Sequence, residues 1–250
     1  MPVNQTGSKY GYETTTGLVI QQGLFEESED QKHKIDTCVK LADGRCFHYA
    51  QAGAVALSAG KLNKAVETPT GHEDVAVLAD VAIGGKLVTV TEGGTTPVTK
   101  NQYAEGYLSL RSGTGVGQMR KIRSHPAAAI GATVELTLYD PFTTAIVAAD
   151  TADLIYSPYQ SVVENATLAN PVSGVPLIAV QASYFFWNQT FGPANVLNDG
   201  GTALGTLLVP DASVAGAVET AAAFTGPIVG WAMIAQVGAD YGATFLTICP

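Results

Sequence analysis

Apolar and polar residues alternate with a period of two along most of this chain, and that period predicts strands. Between residues 35 and 42, Ile35, Thr37, Val39 and Leu41 fall on one side, and Asp36, Cys38, Lys40 and Ala42 on the other. Asp43-Gly44 follows as a two-residue turn and 45–49 as the return strand, which predicts a hairpin. An apolar stretch over 75–93, interrupted at Gly84-Gly85, predicts a second hairpin.

Further strands are predicted at 107–111, 118–124, 133–138, 174–180, 184–190, 194–197, 215–218, 228–236 and 243–249. Turn residues recur about every ten positions, the spacing of sandwiches and barrels. Helix-length runs free of Gly and Pro are few. The densest charge run, 24–34, reads as an exposed loop or a short surface helix. Residues 1–17 are polar, rich in Thr, Gly and Tyr and without hydrophobic period, as an extended arm would be.

The expectation is therefore an all-β fold of sandwich or barrel type, jelly-roll or β-tulip-like, with an extended N-terminal arm. Its expected organisation is an arm over 1–30 and a β-rich domain over 31–157. Residues 158–250 then form a second β-rich domain or continue the same sandwich. The segment 157–176, with its three prolines, marks the division.

Gly113, Gly115 and Gly117 stand at alternate positions ahead of a basic cluster, a pattern that raises the question of a phosphate loop. The dinucleotide fingerprint needs G-x-G-x-x-G between a strand and a helix, and this spacing is one residue short. The following stretch, QMRKIRSHP, begins no amphipathic helix, so no helix N-terminus is available for a pyrophosphate. A Walker loop is excluded because Gly-Lys-Ser/Thr is absent. The glycines instead read as the loop of a hairpin joining 107–111 to 118–124, where they supply positive φ angles.

Charge sharpens the picture. All thirteen Lys and Arg lie at or before Arg123, so residues 124–250 hold nine acids and no Lys or Arg, and with them the whole net charge of −9 counted with His neutral. A half without cationic side chains cannot grip phosphates, so no nucleic-acid partner is expected there. The apolar run 221–235 is interrupted by Thr225, Gly226 and Pro227. It also falls short of the roughly 20 residues a membrane helix needs. The polar start has no apolar core of a signal peptide, and the expectation is a soluble chain made in a cytoplasm.

Candidate chemistry is sparse. Cys38, Cys46 and Cys249 form an odd set without a CxxC pair, which fits free thiols in a reducing compartment. His33, Cys38, Cys46 and His48 match no common zinc spacing, so no metal is expected. No G-x-S-x-G elbow and no H-E-x-x-H motif occurs, and the expectation is no catalytic residues and no cofactor. Asp199 and Asp211 could in principle pair as glycosidase carboxylates, but any acidic β-protein offers such pairs.

Three stretches carry a family resemblance: 43-DGRCFHYAQAGAVALSAGKL-62, 105-EGYLSLRSGTGVGQMRKIRSHPAAAIGATVELTLYDPF-142, and 174–218 followed by 228–248. With these the chain resembles the decoration, or cement, proteins of tailed-bacteriophage capsids. The resemblance covers most of the chain after about residue 40, contains no catalytic motif, and leaves the arm uncovered.

It implies a non-enzymatic virion protein on the outer capsid surface, made in a host bacterial cytoplasm, whose partner is the major capsid protein. It further implies a homo-oligomer, a trimer with a dimer as the alternative. Within that expectation Val3, Tyr10, Tyr12, Leu18, Val19 and Ile20 are the arm anchors. In the stretch 184-YFFWNQT-190 aromatics fall on both faces of one strand, as in a sandwich interior or a subunit contact. Tyr184, Phe186, Trp187 and Trp231 are the expected subunit-interface residues. The alternative is a head-fibre or receptor module with a carbohydrate-facing surface, for which exposed aromatics beside carboxylates would be the sign.

Overall fold

A computed structural model describes residues 20–166, 171–222 and 226–249. Among the described residues the protein is all-β, 43% of them in strands or isolated bridges, with no helix. The strands are β1 (Cys38–Lys40), β2 (Cys46–Gln51), β3 (Asn63–Lys64), β4 (Val75–Ala76), β5 (Leu87–Thr91), β6 (Tyr107–Ser112), β7 (Met119–Ser124) and β8 (Thr133–Leu138). They continue as β9 (Thr151–Ile155), β10 (Val163–Glu164), β11 (Val172–Pro176), β12 (Phe185–Asp199), β13 (Leu207–Pro210), β14 (Val218–Thr220), β15 (Gly230–Ala232) and β16 (Ala239–Thr247).

Two compact units result. Met1–Val66 joins Pro158–Pro250, and Glu67–Ser157 forms an insertion between them. The expected 31–157 domain is therefore corrected at its start. Residues 31–66 belong with the C-terminal part because β2 pairs with β12, from Phe185↔Gln51 to Gln189↔Phe47. Long-range pairing of this kind leaves no local mark on the sequence.

The 15-residue β12 organises the first unit. Its first half lies against β2 and its second half against β16, from Phe191↔Thr247 to Asp199↔Ala239. The path β12–β14–β13–β15–β16 returns to β12, which closes a five-stranded barrel. Alternation points Val196, Leu208, Val218 and Leu246 into this barrel, all of them buried. The N-terminal half of β12 contributes to a separate core of Phe47, Tyr49, Phe186 and Trp187, joined by Ile20 and Leu24.

The sequence reading had separated 184–190 from 194–197. The two are one strand: the register against β2 shifts once, between Gln189 and Phe191, while Gly192 and Pro193 pair in unbroken register with Leu246 and Phe245 of β16. The first hairpin forms with Lys40 opposite Cys46, yet its loop has three residues, 42–44. Leu41 N–H donates to Arg45 O, and Gly44 (φ 88°) takes the left-handed position that such loops require. Segment 24–34 contains turns and no helix, and it is anchored by the bridge Ser28↔Phe185. Residues 20–30 are thus part of the body, a correction to the 1–30 arm.

The second unit is a six-stranded sheet in the order β4-β9-β6-β7-β8-β5, and the bridge Val77↔Val90 joins its two ends. Leu108, Ile122, Val134, Leu136, Phe142 and Leu154 fill the interior. The glycine stretch is a hairpin loop, with Tyr107↔Lys121 and Ser109↔Met119 paired on either side. The expected hairpin over 75–93 is reduced to the single bridge Val77↔Val90, since β4 pairs with β9 and β5 with β8. β9 and β13 were not foreseen; each is a short strand in a polar or Gly-rich context.

Candidate functional site

Closing the barrel fixes which side chains face out. On the wall opposite Val196, Leu208 and Leu246 stand the residues of the other parity. Leu207 pairs with Trp231, Trp231 pairs with Phe245, and Pro193 also pairs with Phe245. The Trp231 and Phe245 rings stack at 4.5 Å and 4°, and Phe191 meets Phe245 edge-on at 5.3 Å. Trp231 is 38% exposed, and Leu207, Met233, Ile234 and Tyr241 are exposed with it. An aromatic and aliphatic strip on the outside of a barrel is unusual for a wall that water alone covers.

The outer face of the barrel also carries carboxylates, around β14 and the C-terminal end of β12. Asn198 pairs with Val218, so Asp199 and Glu219 share a parity, and Glu219 lies across from Val209. Ser213 Oγ lies 3.1 Å from Asp199 Oδ2 and 2.8 Å from Asp211 Oδ1, and its one proton serves only one of them at a time. Burial raises the Asp211 carboxyl, but the N–H groups of Val214 and Ser213 outweigh this and hold it below the ordinary carboxylate value. Glu219 is shifted up, first by burial and then by the charges of Asp211 and Asp199. Asp199 and Asp211 therefore do meet, as the sequence allowed, and Glu219 joins them.

A second cluster lies on the first hairpin. Asp36 takes φ 69°, a left-handed turn that Asp tolerates better than most residues, and its carboxylate meets His48 Nδ1 at 2.9 Å. The His48 ring stacks on Tyr159 at 4.3 Å and 11°. His48 Nε2 is buried without a hydrogen-bond partner. Burial pushes the Cys38 and Cys46 thiols up, and each feels Cys249 as well. Tyr159 is also raised, by burial first, with the Cys249 side chain as its hydrogen-bond neighbour. Cys38 and Cys46 thus share the hairpin face of His48, and Cys249 neighbours the Tyr159 side chain that stacks on it. The signal that could have shown it is the alternation itself, which places Asp36, Cys38, Cys46 and His48 on one face of the hairpin.

Buried polar groups in the second unit form a closed network. His72 Nε2 lies 3.0 Å from both Glu92 Oε1 and Thr96 O, while Nδ1 meets the Tyr103 hydroxyl. The Glu92 carboxylate also accepts the N–H groups of Gly94 and Gly131, each at 2.6 Å. These contacts tie the loops after β5 and before β8 to the core. Among the described residues, no three His, Cys, Asp or Glu side chains form a group that could hold a metal ion.

The residues expected from sequence separate clearly. Val3, Tyr10, Tyr12, Leu18 and Val19 lie outside the described residues. Ile20 is 1% exposed and belongs to the chain's own core. Phe186 and Trp187 are core as well: Trp187 is 1% exposed and donates its Nε1–H to Gln22 O at 2.9 Å. Tyr184 is half-buried against the same core. Of the four expected interface residues, Trp231 alone stands on an exposed wall. No protein family, curated protein or solved structure matches this chain.

Proposed function

We propose that this protein is a structural docking module of the capsid-decoration type, which holds the subunits of a bacteriophage shell together by binding its outer surface. The observation that supports it most is the outward strip Phe191–Phe245–Trp231–Leu207. Rigid aromatic groups on a sheet contribute large contact area with little side-chain entropy to lose, as binding hot spots require. The neighbouring carboxylates favour a partner, such as a major capsid protein, that presents Lys or Arg. Self-association into a trimer or dimer brings several strips onto one lattice and multiplies their effect. An N-terminal arm that clasps a neighbour belongs to the same proposal.

The test is co-sedimentation with expanded and unexpanded capsids. Preferential binding to the expanded form, lost in Trp231→Ser without loss of fold, supports the reading. Equal failure of wild type and variant to sediment with either form overturns it.

A second reading is favoured by the same wall. Stacked aromatics on a barrel whose outer face also carries Asp199 and Glu219 suit a sugar ring, whose faces are apolar and whose hydroxyls seek carboxylates, as in a receptor-binding virion module. Glycan-array binding that disappears in Trp231→Ser would favour it over capsid docking.

A further inference from the structure

Residues 20–24 sit on the first unit as a plug. Ile20 and Leu24 are buried in the core that holds Phe47, Tyr49, Phe186 and Trp187. Between them Gln22 is clamped at both ends. Its carbonyl accepts the Trp187 Nε1–H at 2.9 Å, and its side-chain oxygen accepts the Tyr49 hydroxyl at 2.7 Å. Its Nε2 donates to Glu26 O and Phe185 O, and Gly23 N–H donates to Glu26 Oε2 at 3.0 Å.

A third ring completes the seat. Gln21 N–H donates to His33 Nε2 at 3.1 Å, so Nε2 keeps its lone pair and the neutral ring carries its hydrogen on Nδ1. The His33 ring lies 5.1 Å from Trp187 and 5.2 Å from Tyr49, and those two rings lie 5.1 Å from each other. Lys32 N–H donates to the Tyr49 hydroxyl at 3.0 Å and ties the loop of His33 to the same platform. Trp187, Tyr49 and His33 thus each hold a different polar group of residues 21–22. The first two do so with hydrogens they keep at every mild pH, and only His33 does so with a lone pair.

A second proton on His33 turns that acceptor into a donor aimed at another donor. It also puts a charge on a half-buried ring, and burial lowers the His33 pKa below its ordinary value of 6.5. The charged and titratable groups around it are Tyr49 from β2, Glu26 from the turn after Leu24, and Lys32 and Lys34 on its own loop. β12 contributes Trp187, which does not titrate. Tyr49 is pushed up to about 12 by burial and stays neutral.

We propose that His33 is an acid-sensitive latch on residues 20–24: neutral, it seats them on the aromatic platform, and protonated, it releases them. Residues 1–19 join the body through this segment, so the latch decides whether their point of attachment is fixed. The inference does not rest on the docking reading. Since the seated value is the lowered one, seating is at full strength above about pH 6.5 and weakens as pH falls toward the seated value, by at most about tenfold per pH unit.

The experiment follows amide hydrogen exchange of peptides covering residues 20–24 in the folded full chain from pH 7.5 to 5, expressed as protection over the intrinsic rate at each pH. Fluorescence of a Trp231→Phe variant, whose one indole is Trp187, is read in parallel. Wild-type protection is expected to fall about tenfold over this range, and Trp187 emission to change with a midpoint below 6.5. His33→Gln offers an acceptor that does not titrate, and its protection should stay within about threefold of the neutral wild-type value throughout. His33→Phe keeps a ring without an acceptor and should show the lowered protection already at pH 7.5. If His33→Phe does not fold, the wild-type and His33→Gln profiles decide. Wild-type protection that does not vary with pH, a His33→Gln profile that follows wild type, or loss shared equally by β12 overturns the proposal. An emission midpoint above 6.5, as attraction between a cation and the ring faces would give, overturns it too.

Discussion

The carboxylate of Asp150 accepts the backbone N–H of Gly115 at 3.2 Å, inside the loop that looked built for a phosphate. Thr114 N–H donates to the same carboxylate at 3.0 Å, and Val147 N–H at 3.1 Å. The glycine loop does cradle an anion, but the anion is its own side chain. A Cβ on Gly113, where φ is 92°, would lie 1.9 Å from Asp150 Oδ1, which is why glycine stands there. Asp150→Ala leaves the buried Gly115 N–H and the part-buried Thr114 and Val147 N–H groups without an acceptor, at about 1–3 kcal/mol for the buried one and less for the other two, which water can reach. We expect a drop of several kcal/mol in urea-unfolding free energy; a drop under about 1 kcal/mol would show that water replaces the carboxylate.

His125 makes the second unit sensitive to mild acid. Its Nε2 accepts the Tyr103 N–H at 2.9 Å, and Nδ1 lies 2.8 Å from Pro126 O, so a second proton would break the Tyr103 bond. Burial lowers its pKa, and the Pro126 carbonyl offsets only part of that. A depressed histidine contributes stability that is fully present above the unfolded value of about 6.5 and is lost as pH falls through the folded value. The midpoint of urea unfolding followed from pH 7.5 to 5 should decline in wild type and decline less in His125→Gln.

At lower pH the carboxylates take over. In Asp150, burial pushes up and the Thr114, Val147 and Gly115 N–H groups more than compensate, leaving it below the ordinary value. Asp211 behaves alike. Their contributions are present above about pH 4 and vanish as pH falls through the lowered folded values. Glu219 has the opposite sign: its raised value means that ionisation opposes folding at neutral pH. Glu219→Gln should therefore raise thermal stability at pH 7 slightly, by about 0.5 kcal/mol, and should lose that advantage near pH 4. Equal gains at both pH values would show that charge is not the cause.

The two tryptophans should respond in opposite ways. Trp187→Ala removes a buried indole and its bond to Gln22 O, and should cost about 3–5 kcal/mol. Trp231→Ala, on the outer wall, should cost about 1 kcal/mol or less while abolishing partner binding. Acrylamide should quench one tryptophan and spare the other; two quenched residues would contradict the burial of Trp187.

Truncation separates arm from body. Removing residues 1–19 should leave the unfolding midpoint unchanged and lower capsid occupancy. Removing Ile20 as well takes out a core side chain, at about 2–4 kcal/mol. An unfolding transition that already falls with the shorter deletion would place part of the arm in the body.

What the sequence determined by itself is the strand class and much of its punctuation. Period-two alternation reached the hairpins at residues 38–51 and 107–124 and β8 to the residue, because a half-buried strand writes its two faces into consecutive positions. The glycine loop was legible as a hairpin because positive φ is a local demand. Tertiary structure alone decided that β2 belongs beside β12, that β12 runs unbroken past Gly192 and Pro193, that the core between β2 and β12 buries Phe186 and Trp187, and that the barrel turns Trp231 outward. Pairing between distant segments carries no local signature, so the outer face of the barrel, and with it any docking wall, exists only once the sheet has closed.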